Sequence, residues 1–508
     1  MKSTRFRQKA LLRVTLFVAF SVIAIGAQAQ ESGGSALPQA TPPPPAAPRS
    51  VTVPTPVERT LKNGLRVIVI EHHSMPLVAA QLMIKNGSEV DPAALSGVAD
   101  LTAELLTKGT RTRTAPQIAQ EIEALGGALN TGAGWDVSRA SVNVLSSKTE
   151  PALAILADVV RNPVFKDEEI ERLRQQYLDT LSVGMNTPGT LASWVAARVV
   201  FGDAAYGHSV SGTTESIARI KRADIVDLHS TFYRPDNATL VIGGDIKADD
   251  AFRLAERLFG DWTNPQKSLS GGTKGAQAGA APAAGNQRVV VVDMPGAGQA
   301  AVVFARRGIA RTDATYFSGL VANSVLTGYS GRLNQEIRIK RGLSYGAGSQ
   351  LQVRRDTGLF VASAQTKNQS GAEVASLLLG ELRRLSNEPV GETELVPRKA
   401  VLIGSFGRAL ETTEGLVGQI AGLALYGLGL DETNRYINNV QAISAADVQR
   451  FGGTSLDTKA ASIIIVGDAK EFLPELQKQF KNVEVIPRAE LDLNNASLRK
   501  GGSAFRND

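Results

Sequence analysis

The chain has 508 residues, of which 43% are hydrophobic and 20% are charged. This composition is typical of folded globular proteins, so it excludes a wholly disordered chain and predicts roughly two to four domains. The formal net charge is +6, but five basic residues lie before residue 14, and the rest of the chain has 50 basic and 49 acidic residues. Because the excess charge belongs to the N-terminus, a nucleic-acid-binding role loses its compositional support.

The N-terminal segment has the three parts of a secretory signal. Basic residues up to Arg13 precede an apolar run that continues to about Gly26, and residues 27–29 (AQA) fit a cleavage site. We predict a signal peptide at residues 1–29 and a mature chain that starts at Gln30. An uncleaved membrane anchor is the alternative, although the run is short for ~30 Å of hydrocarbon. We expect secretion across the inner membrane, a periplasmic location if the host is Gram-negative, and no stable membrane insertion.

Two low-complexity stretches divide the rest of the chain. Residues 30–53 are rich in Pro and Ala, and residues 268–285 are rich in Gly and Ala, so both are predicted to be linkers. A phosphate-binding loop at 268–285 is the alternative, but the GK[ST] ending is missing. The linkers bracket two predicted domains at 54–267 and 286–487, and residues 488–508 are predicted to be a polar tail. The chain has no cysteine, which excludes disulfides and thiolate zinc sites.

The two halves carry similar segments. Residues 238–245 (ATLVIGGD) and 461–468 (ASIIIVGD) each indicate a buried strand, a Gly-Asp turn and a following helix. Each half is also predicted to open with paired strands, at 65–70 with 78–85 and at 289–293 with 300–306. The sequence therefore predicts an α+β fold with two homologous domains. In each domain helices pack on one face of a mostly antiparallel sheet, and a flexible linker joins the domains into half of a clamshell.

A helix is predicted at residues 92–108. Asp91 is a suitable N-cap, Pro92 suits the first helical position, apolar residues recur at helical spacing, and Gly109 provides the stop. Asp100 and Glu104 lie one turn apart on this helix.

The sequence of this helix resembles the zinc helix of the pitrilysin/insulinase-like metallopeptidases. That family has an inverted H-x-x-E-H motif followed by Gly-Thr, and residues 97–110 here read GVADLTAELLTKGT. The resemblance continues through most of the chain, in segments 60–70 (TLKNGLRVIVI), 126–130 (GGALN), 212–220, 233–237 (YRPDN), 244–245 and 331–345 (GRLNQEIRIKRGLSY).

The resemblance implies that all four zinc-site positions are changed. The two histidine positions are Asp100 and Glu104, the general-base glutamate is Ala103, and the third-ligand glutamate falls in residues 174–181, best at Thr180. Alanine accepts no proton, so we expect no catalytic residue and no metal on this chain. The alternatives for Asp100 and Glu104 are solvated carboxylates or a site for a hard cation. The histidines, His72, His73, His208 and His229, form no H-x-x-E-H or H-x-x-x-H pair.

The resemblance also implies a substrate-binding pair in the second half. In several family members a zinc-less chain completes the cleft of a zinc-bearing chain and contacts substrate through an Arg and a Tyr, which match Arg338 and Tyr345 here. Arginine offers a planar fork for a carbonyl or carboxylate, and tyrosine offers a hydroxyl on an apolar ring. A surface charge and an ordinary strand residue are the alternatives. A cleft-lining edge strand is expected within residues 128–144, unless that segment is fully paired.

The leading hypothesis is a non-catalytic subunit of a heterodimeric zinc endopeptidase. Zinc, the water and the base would come from a partner homologue bearing H-x-x-E-H, and the substrate would be a peptide or unfolded polypeptide. Metalloendopeptidase activity is expected only with that partner. The alternatives are a peptide-binding or assembly scaffold without protease activity, and an active metallopeptidase with a non-standard metal site at Asp100 and Glu104.

Overall fold

The computed structural model describes residues 53–265 and 288–502. The predicted signal peptide, almost all of the linker at 30–53 and the whole of the linker at 268–285 lie outside these residues. The described chain forms two six-stranded sheets of mixed, mainly antiparallel pairing, each with its own helical layer. The predicted α+β fold with two related domains is confirmed. Among the described residues, no helix has the length and apolar character needed to cross a membrane.

The described residues of the first half form one sheet with the strand order β1-β2-β6-β3-β5-β4 and eight α-helices. The strands are β1 Val57–Thr60, β2 Arg66–Glu71, β3 Leu77–Ile84, β4 Ala128–Ala133, β5 Ser138–Leu145 and β6 Ala238–Gly244. The helices are α1 Val98–Leu105, α2 Ala115–Ala124, α3 Thr149–Arg161, α4 Asp167–Met185, α5 Pro188–Phe201, α6 Thr214–Arg219, α7 Arg222–Phe232 and α8 Ala248–Phe259.

The second half repeats this plan with the strand order β12-β7-β11-β8-β10-β9. The strands are β7 Val289–Asp293, β8 Ala300–Arg307, β9 Ser344–Gln352, β10 Leu359–Thr366, β11 Ser462–Gly467 and β12 Val483–Pro487. The helices are α9 Tyr316–Leu326, α10 Arg332–Asn334 with its π-helical continuation Gln335–Lys340, α11 Gly371–Asn387, α12 Glu392–Leu410, α13 Thr413–Leu425, α14 Glu432–Ala442, α15 Ala445–Ser455 and α16 Leu473–Gln479.

The repeated strands β6 and β11 occupy the same place in their sheets. Strand β6 lies between β2, to which it is parallel, and β3, to which it is antiparallel. Strand β11 lies in the same way between β7 and β8. The predicted direct pairing of β2 with β3 and of β7 with β8 is therefore wrong. Every residue of β6 is buried, and a strand buried on both faces belongs in the interior of a sheet.

Each sheet is covered on its second face by a helix from the other half. Helix α13 of the second half packs Val417 and Ile420 against Ile68 and Met83 of the first sheet. Helix α5 of the first half packs in the same way on β7, β8 and β11 of the second sheet. Helices were predicted on one face of each sheet, and each domain supplies that layer itself. The other face of each sheet is covered by a second layer that contains the exchanged helix, α13 or α5.

The segment predicted as a polar tail adds apolar side chains to this second layer. Leu491 and Leu498 are buried in the cluster that contains α5. A β-bridge joins Leu491 to Arg499 and closes the segment into a small loop. The described residues after β12, 488–502, are therefore packed against the second layer.

Candidate functional site

Helix α1 begins at Val98, later than the predicted start at residue 92, because the chain first makes a separate turn at Ala93–Leu95. Asp91 still caps the helix, since its carboxylate accepts the backbone N–H groups of Gly97 at 2.7 Å and Ala99 at 3.0 Å. Gly97 has a φ of +93°, and a side chain there would meet the backbone of residues 211–212 at 2.9 Å. Glycine thus brings the start of α1 against the loop that contains Ser211.

Asp100 lies on α1 inside a closed set of hydrogen bonds. Its Oδ2 accepts the hydroxyls of Tyr177 and Ser211, each at 3.0 Å, and its Oδ1 accepts the backbone N–H of Ala133 at 3.4 Å. Burial raises the pKa of Asp100 above its ordinary value, and these three hydrogen bonds act in the opposite direction. The side chain therefore connects α1 to α4, to β4 and to the loop after α5.

Glu104 stands one turn further along α1 and points to β4. A side chain added at Gly132 would come within 3.5 Å of the Glu104 Oε1 atom. Burial and the charge of Asp100 raise the pKa of Glu104, while Lys108 lowers it. Within the described residues, its carboxylate has no hydrogen-bond or ion-pair partner. The two carboxylates therefore repel each other.

Tyr177 is the residue of α4 whose side chain contacts Asp100. Thr180, the residue predicted for the third-ligand position, is exposed and its hydroxyl donates to the carbonyl of Gln176 at 2.8 Å. Burial and the charges of Asp100 and Glu104 raise the pKa of Tyr177, so it remains a neutral donor. The predicted segment 174–181 contained this residue, but the sequence did not show which side of α4 faces α1.

The residues present do not fit a catalytic zinc ion. Ala103 is fully buried and has no donor atom, and both oxygens of Asp100 already accept hydrogen bonds. The remaining groups are one free carboxylate, Glu104, and the neutral hydroxyl of Tyr177. Catalytic zinc sites use three protein ligands, mostly histidine and carboxylate. In the described part of the chain, no three His, Cys, Asp or Glu side chains form a group that could hold a metal ion.

The histidines lie in different surroundings. Burial lowers the pKa of both His208 and His229 to about 4, so both are neutral at physiological pH. His73 is on an exposed turn, where hydrogen bonds to Asp245 and Glu71 raise its pKa.

Arg338 and Tyr345, the predicted substrate-binding pair, are both exposed. Arg338 lies on the π-helical segment Gln335–Lys340, which the buried Ile337 anchors to the core. Its guanidinium carbon is 5.6 Å from the ring centre of Tyr329, a residue that the sequence did not single out. Tyr345 lies on the edge strand β9 and is 89% exposed. Among the described residues Arg338 forms no ion pair, so its N–H groups are open to a ligand.

The predicted edge strand within residues 128–144 divides into two strands. Ala140, Val142 and Val144 lie on β5, which pairs with β3 on one side and β4 on the other. Strand β4 itself pairs with β5 and forms the end of the sheet. The free edge therefore belongs to residues 128–133.

A second buried polar cluster joins the two halves, and no local motif had indicated it. Asp136 of the first half accepts the hydroxyls of Tyr206 at 2.6 Å and Tyr426 at 3.2 Å, and the backbone N–H of Arg355 at 2.8 Å. The side chain of Arg355 also bonds to Glu89 at 3.2 Å. Arg355 lies in the β9–β10 hairpin of the second half, so this hairpin is locked into the first half.

The repeated sheets, the exchanged helices and the altered α1 together define a two-domain protein of the inverted-motif metallopeptidase type. Comparison with family models gives the particular family. The model described as "Insulinase (Peptidase family M16)" matches residues 66–188, and the model described as "Peptidase M16 inactive domain" matches residues 219–402. The chain belongs to peptidase family M16, which confirms the resemblance found in its motifs.

Individual relatives agree with this assignment. An uncharacterized zinc protease of Rickettsia bellii is 28% identical over 410 residues, covering 80% of this chain and 96% of the relative. A crystal structure of a peptidase M16 inactive domain from Pseudomonas fluorescens is 26% identical, with a TM-score of 0.73, and covers 81% of this chain and 98% of that one. A protease from Helicobacter pylori, 20% identical with a TM-score of 0.75, has the same fold over 82% of this chain and all of that one.

Proposed function

We propose that this chain is the non-catalytic subunit of a two-chain zinc endopeptidase. A homologous partner that bears H-x-x-E-H supplies the zinc ion, the water and the general base. This chain completes the peptide-binding chamber and contacts the substrate through Arg338 and Tyr345. Its N-terminal signal sends it across the inner membrane, to the periplasm if the host is Gram-negative.

The observation that carries the proposal is the chemistry of α1. In place of a general base the helix has the buried methyl group of Ala103, and in place of a first ligand it has Asp100, already bonded to Tyr177 and Ser211. A water molecule there would have neither a Lewis acid nor a proton acceptor in the required positions. Peptide hydrolysis by this family's chemistry therefore requires another chain.

The second half supports the part of the proposal that concerns substrate. Arg338 is exposed and has a π contact with Tyr329 in place of a carboxylate partner. Its planar fork suits a backbone carbonyl or a carboxylate of a peptide, while the ring of Tyr345 offers apolar area and one hydroxyl.

The first test combines the purified chain with an H-x-x-E-H homologue encoded by a neighbouring reading frame. We expect cleavage of a quenched fluorescent peptide and about one zinc per heterodimer only in the mixture. Zinc and cleavage with this chain alone would contradict the proposal and favour the non-standard metal site at Asp100 and Glu104. A stable homodimer with neither activity nor partner would favour the peptide-binding or assembly scaffold.

The second test concerns the role of Arg338. In the active complex, Arg338→Ala should lower kcat/KM by roughly tenfold or more, because it removes a charge-assisted contact of about 1.5–3 kcal/mol. Gel filtration should show the complex intact. Lys340→Ala is the matched control, since Lys340 is exposed on the same segment but is paired with Glu336 at 2.9 Å. Equal kinetics for Arg338→Ala and Lys340→Ala would remove the role given to Arg338.

A further inference from the structure

A continuous groove runs between α5 and the outer strands of the second sheet. Its two parts have volumes of about 840 Å³ and 550 Å³ and share the walls formed by Trp194, Gly348 and Ser363. The floor consists of alternate residues of β9, from Gly346 to Gln352, beside alternate residues of β10. At about 3.3 Å per residue this floor is roughly 20 Å long, which is the length of about six residues of extended peptide.

The walls of the groove combine polar and apolar side chains and carry almost no charge. The larger part presents hydroxyls, glutamine amides, glycine backbone and two aromatic rings, including that of Tyr345, and its described lining contains no Asp, Glu, Lys, Arg or His. The smaller part adds His208, whose pKa burial lowers to about 4. Of the described residues that line the groove, Arg354 is the one with a permanent charge. The groove thus suits an uncharged peptide segment, with one cation at one end.

Arg354 is a buried cation without a carboxylate partner. It is 4% exposed, and within the described chain no ion pair reaches it. The rings of Trp135, Tyr206 and Phe201 surround its guanidinium, with ring centres 4.3, 4.8 and 5.3 Å from the central carbon. Its Nε and Nη1 have no hydrogen-bond partner among residues 53–265 and 288–502, and its Nη2 donates to Gln352 Oε1 at 3.2 Å. Aromatic faces compensate part of a buried charge but do not neutralise it.

The surroundings compensate this positive charge only in part, because burial lowers the pKa of the guanidinium while the nearby charge of Asp136 favours its charged form. The neighbouring carboxylate of Asp136 is already bonded to two tyrosine hydroxyls and the backbone N–H of Arg355. A second cation, Arg307, lies over the ring of Phe201 at 5.7 Å, and its Nη2 also has no hydrogen-bond partner in the part of the chain that the structure describes. Gln352, which also lines the groove, supplies a neutral oxygen that accepts from Arg354 Nη2. A ligand carboxylate at this end would form a charge-assisted bond in place of a neutral one.

We propose that this groove binds the C-terminal segment of a polypeptide, with its free carboxylate at Arg354 and the preceding residues, uncharged and extended, along β9 towards Tyr345. Arg354 lies in the turn that connects β9 to β10, where the floor of the groove ends. A bound peptide that lies along β9 would therefore have its last residue near Arg354. This inference rests on the proposed function, because the bound polypeptide would be a substrate or a product of the two-chain peptidase. It adds a preference for free C-termini and for uncharged residues before them.

The test measures binding to the full chain by fluorescence anisotropy. The probe is an N-terminally labelled eight-residue peptide of Ala, Ser, Gln and Gly, prepared with a free C-terminal carboxylate and as the C-terminal amide. We expect the amide to bind at least tenfold more weakly. Arg354→Met, which preserves length and apolar contact with the rings, should remove the difference between the two peptides. Circular dichroism and the melting temperature show whether this variant remains folded.

A second variant avoids the buried cluster. Ser363 is exposed on the floor shared by both parts of the groove, so Ser363→Phe should fill the groove and weaken binding of the free acid by tenfold or more. Ser405→Phe, on the exposed surface of α12 outside the groove, is the matched control and should bind as the wild type does. Equal affinity of acid and amide, or unchanged binding by Ser363→Phe, would overturn the inference. Neither result bears on the kinetic effect of Arg338→Ala in the two-chain complex. Failure of the groove proposal can therefore be distinguished from failure of the proposed function.

Discussion

The two halves share a strand plan, but the polar residues of their candidate sites are placed in opposite ways. In the first half, Asp100, Glu89 and Asp136 are withdrawn from solvent and bonded to neighbouring elements. In the second half, Arg338 and Tyr345 are exposed, and no described residue forms a hydrogen bond with their side chains. The same architecture thus has one site closed by its own residues and another that remains open to a ligand.

This difference separates structural roles from binding roles. A group that satisfies buried donors contributes to the free energy of unfolding, because its loss leaves those donors without partners. An exposed side chain contributes little to folding, so its substitution acts mainly on what the side chain contacts from outside. Substitutions of Asp100, Glu89 or Asp136 should therefore change stability, and those of Arg338 or Tyr345 should change ligand affinity.

The largest expected effect comes from Asp136. Asp136→Ala leaves the hydroxyls of Tyr206 and Tyr426 and the hairpin at Arg355 without their acceptor, and should reduce the free energy of unfolding by about 3–5 kcal/mol in urea titration. Asp136→Asn keeps one acceptor oxygen, so its free energy of unfolding should fall less than that of Asp136→Ala. Tyr345→Ala, in the open site, should stay within about 0.5 kcal/mol of the wild type. Equal losses for Asp136→Ala and Tyr345→Ala would contradict the distinction between the halves.

The next effect concerns pH and Glu89. Burial raises the pKa of this carboxyl to about 7 from an ordinary value of 4.5, against the hydrogen bonds from Gly87 and Asn86 and the charge of Arg355, while Asp136 adds to the rise. The folded state therefore holds a proton that the unfolded state releases between pH 4.5 and pH 7. Across that window, rising pH should cost about 3 kcal/mol of stability through this group, which remains lost at higher pH.

The measurement compares the pH dependence of wild type and Glu89→Gln by urea unfolding between pH 4.5 and pH 8. The variant keeps the shape of the side chain and one acceptor oxygen but does not titrate, so its stability should fall less with rising pH. Parallel pH profiles for the two proteins would show that Glu89 is ionised in the fold at the same pH as in the unfolded chain.

The smallest effect tests which face of α4 closes the first site. Tyr177→Phe removes the donor to Asp100 and should cost about 1 kcal/mol, because Ser211 and the Ala133 amide remain. Thr180→Ala, on the exposed side of the same helix, should change the unfolding free energy by less than about 0.5 kcal/mol. If Thr180→Ala reduced the free energy of unfolding more than Tyr177→Phe did, the assignment of Tyr177 to the face of α4 that contacts α1 would be wrong.

Much of the fold was accessible from local patterns. The similar segments at 238–245 and 461–468 indicated a repeat, and both are interior strands in the structure. Their insertion between strands that are neighbours in sequence was not predicted, because local periodicity identifies a strand but not its partners. The exchange of α5 and α13 was missed for the same reason, since an apolar helix does not reveal which sheet it covers.

The candidate site shows a similar division. Asp100, Ala103 and Glu104 followed from a motif, since helical spacing alone puts positions 100 and 104 on one face. Tyr177 and Ser211 reach Asp100 from 77 and 111 residues away. No spacing rule connects such distant positions, so the closed state of the site could be found only in three dimensions. Arg354 was invisible for the same reason, because its aromatic neighbours belong to the other half.

The exchanged helices also determine when the molecule can finish folding. The face of the first sheet that contains Ile68 and Met83 receives its cover from α13, more than 300 residues later in the sequence. Contacts of such high sequence separation form late and slow the folding of a chain. An N-terminal half emerging from the ribosome therefore exposes an apolar sheet until the second half is made, and the two halves must mature as one cooperative unit.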